Sequence, residues 1–117
     1  MLRNVLGGLF LVIAVGCGNG VGSDGAEVGG DCIVSSDCTT QSRCLTGSAW
    51  PSGYCAWACE AAADCPDGST CVDSEGGVCV VTCGGAAECR GDDGYDCVAY
   101  EARGAGGTVM GCGAAAP

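Results

Sequence analysis

Twelve of the thirteen cysteines in this 117-residue chain fall into three sets of four, joined by identical three-residue steps. They stand at positions 32, 38, 44 and 55, then 59, 65, 71 and 79, then 83, 89, 97 and 112. The spacings are C-x5-C-x5-C-x10-C, C-x5-C-x5-C-x7-C and C-x5-C-x7-C-x14-C, and the steps are Ala56-Trp57-Ala58 and Val80-Val81-Thr82. Other columns repeat with them. An acid precedes the second cysteine (Asp37, Asp64, Glu88), an apolar residue follows the third (Leu45, Val72, Val98), and a glycine lies just before the fourth (Gly53, Gly77, Gly111). Agreement in several columns marks internal copies, so the units are residues 32–55, 59–79 and 83–112.

Beyond Cys17 the large apolar side chains are sparse: Ile33, Leu45, Met110, two Trp, three Tyr and a scatter of Val. Such a set buries too little apolar surface to offset the entropy of ordering the chain. Cross-links take that role, and a cysteine share this high in a short chain is the mark of a disulfide scaffold. Four cysteines allow three pairings within each unit. The expectation is first-to-third with second-to-fourth: Cys32–Cys44, Cys38–Cys55, Cys59–Cys71, Cys65–Cys79, Cys83–Cys97 and Cys89–Cys112. Each loop so closed constrains the unfolded chain by roughly 3 kcal/mol.

Between the third and fourth cysteines, β-prone residues flank glycine-rich turns, as in Cys71-Val72-Asp73-Ser74-Glu75-Gly76-Gly77-Val78-Cys79. That pattern predicts a small hairpin in every unit. The stretch between first and second cysteines has room for one helical turn. The fold class is therefore small and disulfide-rich: three tandem four-cysteine units, mostly irregular, with short β-hairpins, preceded by an N-terminal signal helix.

Residues 1–17 read MLRNVLGGLFLVIAVGC. Arg3 precedes an apolar run from Val5 to Val15, too short to span a bilayer but suited to a signal peptide. Its end, Ala14-Val15-Gly16-Cys17, resembles a bacterial lipobox. The resemblance implies a signal peptide over 1–16, lipidation of Cys17, and a chain anchored to the bacterial membrane, with Gly18 pointing to the outer membrane or cell surface. Setting Cys17 aside leaves an even twelve. Two or more acyl chains on one residue hold firmly where one binds only marginally. The Gly-rich stretch that completes residues 17–31 is expected to be a flexible tether, and residues 113–117 a disordered tail.

The formal charge is -10, from 14 acids against Arg3, Arg43, Arg90 and Arg103. That balance excludes phosphate-backbone recognition, so no nucleic acid partner is expected. With neither His nor Lys, Ser-His and Cys-His catalytic constellations cannot be built, and no enzyme activity or cofactor is expected. Zinc knuckles need C-x2-C spacing, which is missing. Asp92, Asp93 and Asp96 offer hard oxygen ligands and are calcium candidates, although their spacing is not that of an EF-hand loop. Trp50, Tyr54 and Trp57 crowd the junction of the first two units. They are either an exposed aromatic anchor for an extracellular protein or glycan or a cover for the disulfides.

The stretch Cys55 to Cys71, CAWACEAAADCPDGSTC, resembles the central part of Dickkopf-type N-terminal cysteine-rich domains and of WAP four-disulfide cores, without the adjacent Cys-Cys pair of the latter. By spacing over residues 32–112 the chain also resembles Cys-rich lipoproteins of predatory soil bacteria. The resulting expectation is a membrane-anchored extracytoplasmic lipoprotein acting as a disulfide-stapled binding or structural surface module. The alternative is a soluble, secreted protease inhibitor or toxin-like protein.

Overall fold

The structure, a computed structural model, describes residues 20–115. The signal segment, Cys17 and the last two residues lie outside that range. Three antiparallel hairpins follow one another: β1 (Ser42–Leu45) with β2 (Tyr54–Trp57), β3 (Ser69–Val72) with β4 (Val78–Val81), and β5 (Tyr95–Glu101) with β6 (Thr108–Ala114).

In every hairpin the third and fourth cysteines stand directly opposite each other: Cys44 with Cys55, Cys71 with Cys79, Cys97 with Cys112. Opposed residues share a face of the ladder, so both sulfurs project to one side. They do not bond to each other. Each reaches back to the loop between the first and second cysteines, giving Cys32–Cys44, Cys38–Cys55, Cys59–Cys71, Cys65–Cys79, Cys83–Cys97 and Cys89–Cys112. The bridged Cα atoms lie 5.5–5.9 Å apart, within the ordinary range for the bond. The loop is thus stapled twice onto its own hairpin.

Those loops each contain one 3₁₀ turn: Ser35–Asp37, Ala62–Asp64 and Ala86–Glu88. The repeated acid explains why. Asp37 accepts from the amides of Ile33 (2.9 Å) and Val34 (3.2 Å), and Asp64 from those of Glu60 (2.9 Å) and Ala61 (3.2 Å). Glu88 accepts from Gly84 and Gly85 in the same way. Each carboxylate satisfies the free N–H groups that open its turn. The repeated glycine has an equally local cause in the first two units. Gly53 and Gly77 have φ of 79° and 108°, and a Cβ on either would collide with the carbonyl oxygen of Cys32 or Cys59.

The segment expected to be a flexible tether is folded from Gly20 onward. Val28 is fully buried, Val21 and Val28 form a β-bridge, and the Gly29 amide donates to the Cys55 carbonyl at 2.8 Å. The Cys55 amide donates in return to Gly30 at 2.9 Å. The chain before unit one therefore lies along β2, much as Ala58 bridges to Val78 and Thr82 to Gly111 ahead of the next units. Composition read as a linker because its glycines hide one apolar anchor. The tail is corrected similarly: Gly113 and Ala114 belong to β6, and the Ala115 amide donates to Gly94 at 2.8 Å.

The units share one core. Val28, Leu45, Trp50, Tyr54, Ala56, Val72, Val78, Val80 and Tyr95 form a single buried cluster with the disulfides. Each described arginine then joins two units. Arg43 donates to the Glu75 carbonyl (3.3 Å), Arg90 to the Gly53 carbonyl, and Arg103 to Asp73 (2.6 Å) and Glu60 (3.1 Å).

Candidate functional site

The aromatic residues at the first junction are core. Trp50 is 2% exposed and Tyr54 1%, while Trp57 is partly buried. Trp50 and Tyr54 lie 5.2 Å apart between ring centroids, and Tyr54 and Tyr95 5.5 Å, both pairs tilted, a favourable aromatic arrangement. The Trp50 indole donates to the Glu75 carboxylate at 2.9 Å, and the Val81 amide donates to the Tyr54 hydroxyl at 2.9 Å. Glu75 takes φ of 54° to reach its position, a backbone cost set against that bond. The exposed-anchor expectation fails because three units pack around these rings instead of hanging in a row.

Arg90 closes the cluster from the third unit. Its side chain is 8% exposed, it pairs with Asp93 at 3.0 Å, and its guanidinium carbon lies 4.6 Å from the Tyr95 centroid and 5.8 Å from that of Tyr54. Burial pushes the Tyr54 phenol well up, against the opposing effect of the Val81 amide. It pushes Tyr95 to about 12, against the nearby Arg90 charge. Both phenols therefore stay neutral and serve as packing groups.

Asp92, Asp93 and Asp96 are not brought together as a calcium site. Asp93 is held by Arg90, and Asp96 accepts from the neighbouring Cys97 amide at 2.7 Å. Among the described residues, the groups of three ligand-type atoms within 4.8 Å are cysteine sulfurs, one group per unit. They are close because two disulfides lie side by side, and a disulfide sulfur is not the thiolate that binds metal.

Two further features present chemistry to solvent. Ile33 is 84% exposed and Val34 54%, on the loop stapled at Cys32 and Cys38. The corresponding residues are Glu60-Ala61 in unit two and Gly84-Gly85 in unit three. That column difference was the available signal. A separate open groove of about 560 Å³ is lined by Asp24, Asp31, Asp92 and Asp93 together with Arg90. No protein-family model, curated protein or solved structure matches the chain, so the site rests on its own geometry.

Proposed function

We propose that this chain is an exported, lipid-anchored extracytoplasmic module whose disulfide-stapled body acts as a binding or structural surface. The observation that carries the reading is the cysteine count. Twelve cysteines are bridged in pairs, and Cys17 alone stands outside those pairs, at the end of a lipobox-like segment. Six bridges in so small a body suit an oxidising compartment. The absence of His and Lys from the sequence favours binding over catalysis. A diffusible inhibitor or toxin-like protein is the second reading, favoured by the projecting, stapled loop at Ile33 and Val34.

Intact mass of the protein from its native host, before and after reduction and alkylation, tests the proposal. A mature chain beginning at Cys17, carrying lipid and yielding twelve further thiols only on reduction, is expected. A lipid-free chain lacking Cys17 would remove the anchor and leave the diffusible reading.

A further inference from the structure

We infer that Asp67-Gly68 is a site of spontaneous covalent modification, at which the folded chain converts aspartate to isoaspartate. The inference goes beyond the surface-module reading and depends on neither anchor nor partner. Isoaspartate forms when the amide nitrogen that follows an aspartate attacks that residue's own side-chain carboxyl carbon. The amide proton and the carboxyl hydroxyl leave together as water, which closes a succinimide ring. Water then adds to the aspartate's main-chain carbonyl carbon and opens the ring on that side. The backbone now runs through the side chain, one methylene longer, and the former main-chain carbonyl has become a free carboxylate. Composition is unchanged, and water is the only co-reactant. The reaction needs an amide that is unshielded and unengaged, and a carboxyl free to turn onto it.

Asp-Gly, in which no following side chain shields the amide, occurs at Asp24-Gly25, Asp67-Gly68 and Asp93-Gly94. The fold separates the three. The Gly25 amide donates to the Gly22 carbonyl at 2.9 Å, and Gly25 is buried. The Gly94 amide donates to the Gly91 carbonyl at 3.0 Å, and Asp93 is held by Arg90 at 3.0 Å. Asp67 and Gly68 are both exposed. Among the described residues the Gly68 amide has no hydrogen-bond partner and the Asp67 carboxylate no ion-pair partner. They sit in the Pro66–Ser69 turn, which the Ser69 amide closes onto the Pro66 carbonyl at 3.1 Å. The peptide between Asp67 and Gly68 is the central one of that turn, so its N–H takes no part in the closing bond. The Gly68 carbonyl accepts from the amide (3.0 Å) and the hydroxyl (3.1 Å) of Thr82. A lengthened backbone here therefore disturbs the tie to the step into unit three. Cys59–Cys71 and Cys65–Cys79 close covalent loops around the turn, so the modified unit keeps its cross-links.

The test incubates the full chain, disulfides intact, at neutral pH and physiological temperature, beside a reduced and alkylated sample. Peptide mapping with electron-transfer fragmentation locates isoaspartate in both. In the folded chain it should accumulate at Asp67 and stay at its starting level at Asp24 and Asp93. In the reduced, unfolded sample all three should convert. Asp67→Glu, whose longer side chain closes the ring far more slowly, should remove the folded-chain signal. Hydrogen exchange at the Thr82 amide should quicken as Asp67 converts. Absence of isoaspartate at Asp67 in the folded chain would overturn the inference, whatever the reduced sample shows. So would conversion at Asp24 or Asp93 as fast as at Asp67, since the fold would then select nothing.

Discussion

The guanidinium of Arg90 lies over the ring of Tyr95, 4.6 Å from its centroid, and reaches across to the Gly53 carbonyl in the first unit. One planar cation thus stacks, pairs with Asp93 and caps a backbone oxygen at once, a combination lysine cannot reproduce. Arg90→Ala should lower unfolding free energy by about 2–3 kcal/mol, since it strips hydrogen bonds to a buried charge. Urea titration with the disulfides intact measures it. Arg103→Gln, which removes solvent-exposed pairs, should shift the midpoint far less and hardly at all in high salt. Equal effects of the two would mean that Arg90 is not the tie between the outer units.

The glycines ahead of the fourth cysteine should be intolerant for backbone reasons. Gly53→Ala or Gly77→Ala places a Cβ against the first cysteine's carbonyl at positive φ. Each should cost more than about 2 kcal/mol and reduce the yield of fully oxidised protein on refolding. Gly85→Ala, at an open site with φ of -169°, should stay within about 0.5 kcal/mol of the parent.

Val28 separates a linker from a folded segment. A residue in a solvated tether can be truncated freely, whereas Val28 is completely enclosed. Val28→Ala should destabilise by about 2 kcal/mol through lost contacts and a residual cavity. Thermal unfolding of the two chains side by side reads the difference, and an unchanged midpoint would return the segment to a tether.

Asp37 should leave a signature in acid. Its carboxyl is held below the ordinary 3.8, chiefly by the Ile33 amide and then by that of Val34. A folded value below the unfolded one gives stability that is fully present above pH 3.8 and lost as pH falls through the folded value. Asp37→Asn keeps an acceptor but cannot ionise. The gap in melting temperature between parent and variant should therefore be widest near neutral pH and close as the pH falls through the folded value of Asp37. A gap constant with pH would show that the charge plays no part.

The hairpins were legible because their determinants lie within a unit: cysteine spacing, a turn glycine and an apolar residue beside the third cysteine. The stacking of units was not. Tyr54 meets Val81, Arg90 and Tyr95, and Trp50 meets Glu75, all of which follow by tens of residues, and no local pattern announces such a meeting. The acids before each second cysteine were visible as a column, but their partners are backbone amides and leave no trace in residue type. Val28 was obscured by its neighbours, since a single apolar residue among glycines carries no periodicity. Ile33 and Val34 could have been found from the column where the other units place Glu60-Ala61 and Gly84-Gly85.

The paired bridges in each unit also govern what happens when the backbone is cut or pulled. Cleavage in the turn between Leu45 and Tyr54 leaves Cys55 fastened to Cys38, so the two pieces do not part. A load drawn through the first unit is likewise passed from sulfur to sulfur, because Cys32–Cys44 and Cys38–Cys55 overlap along the chain. Nicking by proteases and mechanical tension therefore meet covalent links before they meet the few hydrogen bonds of a four-residue ladder. A body this small in apolar content can stay whole under such insults for that reason.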